Sequence, residues 1–384
     1  MKVVVVSHAM VQDHSRARWR RLAERYPVEV TLLVPANWEN NWFGEISVWK
    51  PQPVKEEGFQ VVPLPVTDCR NWGRYLFKSL DAGLRQLKPD IIYVIQEETT
   101  FILQQMMLYR HVWAPRAKLL FFSWNNLQVP KSRFLWPLTR ANSDMVIAGN
   151  SEVRQVLRQA GYRKPVVVQT EIGVDETIFK FDLAIRTQLR AKLGLRGFVI
   201  GYAGRLTRAK GLLDLFAALE TLQGEWSLLL VGDGDLRSDL EMYARKHNWQ
   251  ACFTGQVAIN QMHNYFPAMD CLILPSRTTS TWKEQFGLVL AQAMMSRVPV
   301  IGSNSGAIPE VIGDAGLVFP EGDIMALRKH LCCLIEDEEQ RISLAQQGYE
   351  RALIHYSTTG LADEIYQIFK QLLSKNQAGL SRFN

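Results

Sequence analysis

The chain is poor in the features that mark several common protein classes. Its 384 residues hold five cysteines, Cys69, Cys252, Cys271, Cys332 and Cys333. They form no CxxC pair and no metal spacing, and their odd number fits reduced, packed thiols better than a disulfide framework. No run approaches the roughly 18 consecutive apolar residues that a spanning helix needs. The opening MKVVVVSHAM turns polar too soon for a signal peptide and reads as a buried strand, so a cytoplasmic location is expected. Low-complexity tracts and repeat periods are missing. So are a P-loop, GxGxxG, HExxH and a Ser-His-Asp order, which leaves NTPase, simple dehydrogenase, zinc protease and triad hydrolase readings without support.

What is present belongs to the soluble globular class, with 47% hydrophobic and 21% charged residues. The length exceeds one ordinary core, so two domains are expected. The net charge of +6 is unevenly placed: residues 1–180 carry 24 Lys and Arg against 17 Asp and Glu, and the remainder 20 against 21. Part of the excess lies in HSRARWRRLAERY, where Arg16, Arg18, Arg20, Arg21 and Arg25 accompany Trp19. Such a helix is either a solvated face or a peripheral contact with anionic membrane lipid. No nucleic-acid-binding motif accompanies the charge.

Short apolar runs alternate with helical patterns throughout, which predicts parallel sheets with crossover helices. In the first half the strands are Val3 to Ser7, Val28 to Leu33, Ile91 to Ile95, Leu119 to Ser123 and Met145 to Ala148. Helices are expected near Asp13–Tyr26, Trp72–Leu87, Thr99–His111, Ser132–Ala141 and Ser151–Ala160. Residues 36–70, with several Trp and Pro and no clear period, read as an irregular insertion. A fresh strand at Gly197 to Gly204 opens a second α/β unit, which places the boundary near 175–197. Later strands are Leu228 to Val231, Leu272 to Leu274 and Val298 to Gly302. The helices there are 210–222, 235–248, 261–269, 286–296, 323–335, 341–355 and a final one at about 359–374.

Several strand-to-helix junctions carry chemistry. Gly204 lets the backbone approach a ligand, while Arg205 and Lys210 present charge at the next helix start, a combination suited to a diphosphate. Gly232 and Gly234 allow a second tight turn. Phe253 to Val257 closes a third junction, whose backbone could read the edge of a base. Glu284-Gln285-Phe286-Gly287-Leu288-Val289 is the strongest element. Backbone N–H groups of Phe286, Gly287, Leu288 and Val289 can hold a phosphate, Glu284 can accept from sugar hydroxyls, and Gln292 lies on a line towards a ribose. In the first half His8, Gln96 to Thr99 and Ser123 to Asn126 follow strands, the usual place for ligand-facing polar groups.

The order of these motifs resembles the retaining GT-B glycosyltransferases of family 4. The residues carrying the resemblance are Gly173-Val174-Asp175 with Phe179, Gly204-Arg205-Leu206 to Lys210-Gly211, Val231 to Gly234, Phe253-Thr254-Gly255, Pro275-Ser276, Glu284 to Val289 and Gly306 to Glu310. The resemblance implies two Rossmann-like doubly wound domains facing a cleft: an acceptor-side domain at 1–180, a nucleotide-sugar domain at 181–357, and a helix at 358–384 packing back on the first. It implies that Arg205 and Lys210 neutralise the donor diphosphate with no metal, that Glu284 binds the hexose, and that Gly204, Gly232, Val257 and the turn from Phe286 to Val289 hold the rest of the donor. His8, Glu98 and Asn126 are candidates near the acceptor or the reacting sugar.

Two departures stand out. The family's second acid, eight positions after Glu284, is here Gln292. The usual glycine-rich loop after the first strand is replaced by His8-Ala9-Met10-Val11. The expected function is hexose transfer, with UDP-glucose as the first choice of donor, to a glycan or lipid-linked acceptor in surface polysaccharide assembly. The alternatives are a non-catalytic GT-B partner in a glycan-assembly complex and a UDP-sugar epimerase.

Overall fold

Apolar runs of four to six residues become the centres of two parallel sheets in the computed structural model, which describes residues 1–42, 45–80 and 85–374. The chain divides into two compact units. One comprises Met1–Gly173 together with the residues from Thr358 onward, the other Val174–Ser357.

In the first unit the strands are β1 (Lys2–Val6), β2 (Glu29–Pro35), β3 (Trp38–Trp42), β4 (Glu45–Trp49), β5 (Val54–Glu56), β6 (Phe59–Leu64), β7 (Ile91–Val94), β8 (Lys118–Ser123), β9 (Met145–Ala148) and β10 (Val166–Val168). The main sheet runs β10-β9-β8-β7-β1-β2-β6-β5, every pair parallel except β5 with β6. Val3 to Val6 are buried on both faces, which is why this strand shows no polar alternation. Strand order reverses between β1 and β7, so the segments after them, from Ser7 and from Ile95, border the switch point.

The second unit holds β11 (Phe198–Ala203), β12 (Trp226–Val231), β13 (Ala251–Phe253), β14 (Cys271–Leu274), β15 (Val300–Ser303) and β16 (Leu317–Phe319). Their order, β13-β12-β11-β14-β15-β16, is all parallel and follows the dinucleotide-fold pattern. Here the switch point lies between β11 and β14. Gly204 to Leu206 and Pro275 to Ser276 leave the sheet on its two sides.

The terminal helix Thr358–Ser374 belongs to the first unit. Ile365, Ile368, Phe369 and Leu372 join that unit's core, each contributing at most about 1.5–3 kcal/mol on burial. Tyr366 stacks on Tyr26 at 3.8 Å, and Arg25 makes a two-bond fork to Asp363 at 2.7 and 2.9 Å.

Four local expectations are corrected. Residues 36–70 are not irregular: they fold into the β3–β4 hairpin and the β5–β6 pair, and β6 extends the main sheet beside β2. Pro63 within β6 hides the strand pattern. Expected helix Trp72–Leu87 is absent over 72–80, where Gln105 captures the backbone of Phe77 through both its amide groups at 3.0 and 2.8 Å; residues 81–84 lie outside the described residues. Segment 261–269 forms two short 3-10 turns, because Pro267 lacks the N–H an α-helix would need. The fourth concerns the arginine-rich helix, Ala17–Arg25, which is no free basic face. Trp19 is fully buried, Arg18 is buried against the carbonyls of Thr170 and Glu171 and the Gln169 side chain, and Arg16 binds the carbonyls of Met10 and Val11. Arg20, Arg21 and Arg25 each pair with carboxylates of this chain.

Candidate functional site

The second unit gathers its motif residues at the carboxyl ends of β11, β12, β14 and β15. Gly204 and Gly232 follow β11 and β12, and the two backbones touch so closely that a Cβ on Gly232 would overlap the carbonyl oxygen of Gly204. Gly232 N–H then donates to Gly255 at 3.1 Å, which brings the half-buried Val257 segment to the same edge. Arg205 is exposed, with its carbonyl receiving the hydroxyl of buried Tyr202 at 2.7 Å.

At the centre lies an ion pair. Lys210 Nζ donates to Glu284 Oε2 at 2.6 Å, with side-chain exposures of only 14% and 9%. Ser276 Oγ donates to the same oxygen at 2.9 Å, and the Lys210 ammonium sits 4.6 Å from the centre of the Trp282 ring. The Glu284 main chain is fixed too. Its carbonyl receives the Ala307 N–H at 3.0 Å, and any Cβ on Gly306 would overlap that oxygen. Arg277 braces the neighbouring loop through two 2.6 Å bonds to buried Asp214. One carboxylate oxygen of Glu284 thus receives both a cation and a hydroxyl, a charge-assisted arrangement that fixes the side chain beside Lys210.

The helix expected at 286–296 spans Leu288–Met295, starting after Gly287 in the left-handed conformation (φ +79°). Phe286 therefore precedes the helix, its buried ring edge-on to Tyr356 at 5.4 Å, and the helix-start N–H groups belong to Leu288 and Val289. Gln292 sits half-buried one turn further along.

In the first unit the structure brings His8, Gln96, Glu97, Glu98 and Ser123 together where β1, β7 and β8 end. His8 Nδ1 pairs with the Gln96 amide, and its ring lies 4.9 Å from that of Trp38. Burial holds its pKa down to about 4, so His8 is neutral near pH 7. Glu97 accepts from Ser123 Oγ at 2.6 Å and from the Trp124 N–H at 2.7 Å. Glu98 accepts from Ser123 Oγ at 3.1 Å and pairs with Lys131. Burial and then the neighbouring Glu98 raise the Glu97 pKa well above the carboxylate range. For Glu98 the burial penalty is outweighed by Lys131, so it stays low. Glu97 thus holds a proton more tightly than Glu98. Asn126 turns elsewhere, donating to Glu152 at 3.3 Å.

Lys131, Ser276 and Trp282 were not among the sequence candidates. Ser276 stood in the Pro-Ser motif, and its hydroxyl was the readable signal; Lys131 lies in an aperiodic loop that gave none. Among the described residues, no group of three or more His, Cys, Asp or Glu side chains is placed to hold a metal ion.

Comparison with known proteins agrees with this geometry. Residues 185–351 match the family model "Glycosyl transferases group 1". The capsular polysaccharide biosynthesis glycosyltransferase CapM of Staphylococcus aureus is 25% identical over 211 residues, 53% of this chain and 54% of that protein. The chain spans about half the length of the curated relatives it matches, or less. Among solved structures, sucrose-phosphate synthase from Thermosynechococcus elongatus superposes with a TM-score of 0.70 at 18% identity, covering 98% of this chain and 100% of that one. Anabaena HepE, solved with UDP, gives 0.71 at 18% identity over 97% and 100%; its complex with UDP-glucose gives 0.67. These likenesses establish the GT-B fold, with its two Rossmann-like units. Residues 185–351, which lie within the second unit, are similar in sequence to the group 1 glycosyltransferases.

Proposed function

We propose that the protein is a retaining hexosyltransferase that takes its sugar from a nucleotide diphosphate donor, UDP-glucose first, and passes it to a glycan or lipid-linked acceptor in polysaccharide assembly. The observation that carries this is the Lys210–Glu284 pair, buried among close-packed glycines at the switch point of a dinucleotide-type sheet.

The roles follow from charge. Lys210 and exposed Arg205 are the cations for the diphosphate, and they stabilise the charge that builds on the leaving nucleotide without calling on a metal. As the phosphate engages Lys210, Glu284 keeps its bond from Ser276 and turns its acceptors to the hexose hydroxyls. N–H groups of Leu288 and Val289 face the same donor, Gly204 and Gly232 allow the backbone to approach it, and Val257 borders the base. Gln292 offers an amide to the ribose in place of a carboxylate, a contact about half as strong. Neutral His8, the Glu97–Glu98 pair and Asn126 are the polar groups on the acceptor-side unit.

The donor choice is supported by the UDP and UDP-glucose complexes of HepE, and the polysaccharide setting by the relation to CapM. A thermal-shift panel of UDP- and GDP-sugars tests it. UDP-glucose should raise Tm and be hydrolysed slowly to UDP, because a ligand at about 100 times its Kd adds about 2.7 kcal/mol of stability. Absence of a shift with every sugar nucleotide at millimolar concentration sinks the proposal. A non-catalytic partner predicts that Lys210→Ala and Glu284→Ala leave the cellular role intact, whereas a transferase loses it.

A further inference from the structure

The first unit exposes a set of large apolar side chains that its own fold does not cover. Phe101, Leu108 and Val112 follow one another at i, i+7 and i+11 along the helix Phe101–Trp113, with Leu108 63% and Val112 52% exposed. Beside it the helix Leu135–Asn142 exposes Leu138, and Phe134 just before it is 69% exposed. Gln104 donates to Thr139 at 2.9 Å, so the two helices meet one turn from Leu108 and next to Leu138. Trp72 extends the set: the Phe101 N–H bonds the Gly73 carbonyl at 3.0 Å, which sets this half-exposed indole at the start of the longer helix. The result is one surface formed from two helices and a loop.

Its charge is one-sided. No Asp or Glu stands anywhere between Glu98 and Asp144, while Arg110, Arg116, Lys118, Lys131, Arg133 and Arg140 do. Arg110 and Lys118 are held by Asp144, and Lys131 by Glu98. That leaves Arg116 and Arg133 exposed, with Arg74 and Lys78 beside Trp72, and none of the four pairs with a carboxylate among the described residues. Arg133 lies over the Phe134 ring at 4.8 Å and Arg85 over Trp113 at 4.0 Å, arrangements that keep a cation and an aromatic face together at a polar–apolar boundary. The second unit differs: exposed Ile342 and Ile354 stand on a helix that also carries Glu338, Glu339 and Glu350.

Exposed apolar side chains accompanied by unpaired cations, on two helices whose stretch from residue 99 to 143 holds no acid, match the chemistry of an anionic bilayer surface, where rings and aliphatic chains enter the headgroup layer and cations meet lipid phosphates. We infer that this two-helix face, and not the arginine-rich helix Ala17–Arg25, docks the protein on anionic membrane. No described helix is long and apolar enough to cross a membrane, so the contact is a surface one.

Flotation of the full chain with phosphatidylcholine vesicles, with and without phosphatidylglycerol, tests the assignment. No sugar nucleotide or acceptor is needed, so the outcome is separate from the transferase reading. The chain should float with the anionic vesicles only, and added salt should weaken the binding. Leu108→Glu with Leu138→Glu should cut it at least about tenfold, as should the pair Arg116→Glu with Arg133→Glu, which leaves Leu108 and Leu138 in place. Arg21→Glu, on the arginine-rich helix, should leave it unchanged. Equal binding to neutral vesicles, or none to either, overturns the proposal. So does loss confined to Arg21→Glu, or a dimer in sedimentation velocity that the Leu substitutions dissolve while vesicles are ignored.

Discussion

Two buried lysine–glutamate pairs sit at comparable places in the two units, and they do different things. Lys210–Glu284 follows the switch strands β11 and β14, and Lys131–Glu98 follows β7 in the other sheet. The first is bordered by glycines that let backbone segments approach closely, and by the start of the helix Leu288–Met295. The second is walled in by Glu97, Ser123 and Thr139, whose hydroxyl donates to the Glu98 carbonyl at 2.7 Å. An ion pair next to absent side chains can exchange partners with a ligand. One next to a second carboxyl mainly settles which acid keeps the proton. The same two residue types therefore form the proposed donor site in one unit and an internal charge device in the other.

The comparison can be broken experimentally. Lys210→Ala should lower the rate of UDP release from UDP-glucose by about a hundredfold or more, since it removes a charge-stabilising donor. A loss under tenfold in single-turnover assays would place the site elsewhere. Lys131→Ala strands Glu98 as an unpaired buried charge and should cost about 3 kcal/mol in urea denaturation. Its effect on UDP release, assayed where the variant stays folded, should be the smaller of the two. If activity falls further than for Lys210→Ala, the two pairs have been assigned the wrong way round.

Gly306→Ala sharpens the point, because it leaves all charges in place. Its φ of +52° and the overlap with the Glu284 carbonyl should together cost about 1–3 kcal/mol and weaken donor binding, read by calorimetry. A milder effect is expected from Glu97→Gln. Because the Glu97 pKa is raised on folding, the unfolded chain releases that proton first. Stability therefore falls as pH climbs from the ordinary carboxylate range towards the raised value. Glu171, pushed up to about 7 by burial against the opposing pull of Arg18, adds a fall in the same direction. Between about pH 5 and pH 8 the wild type should lose urea resistance, and Glu97→Gln should lose less. An unchanged pH slope would mean that the carboxyl pair does not share its proton as described. The smallest change is Gln292→Glu, which should tighten UDP-glucose binding by about three- to tenfold if the ribose lies where proposed.

Most of the second unit was legible in the sequence because its chemistry sits in local motifs. Glycines and cations occur within a few residues of strand ends, the acid Glu284 lies just before a helix start, and strand runs such as Leu228–Val231 are apolar throughout. The first unit was harder. Gln105 holding the Phe77 backbone, Lys131 reaching Glu98 and Arg18 reaching the carbonyls of residues 170 and 171 are all long-range, and no periodicity announces them. The arginine-rich helix misled for the same reason: charge count says nothing about which arginines find partners inside. Strand β6 was missed because Pro63 interrupts a pattern that its pairing with β2 tolerates.

The terminal helix carries a consequence for how the protein is made. The first unit's core includes Ile365, Phe369 and Leu372, which meet partners such as Tyr93 whose codons come hundreds of positions earlier. During synthesis the strands β1 to β10 leave the ribosome long before that helix exists. The second unit is contiguous and can close as soon as it emerges, whereas the first must wait with a greasy groove uncovered until the helix Thr358–Ser374 has followed it out. Order of birth and order of completion are thus reversed, and a chain cut short before residue 358 would release its older half unfinished.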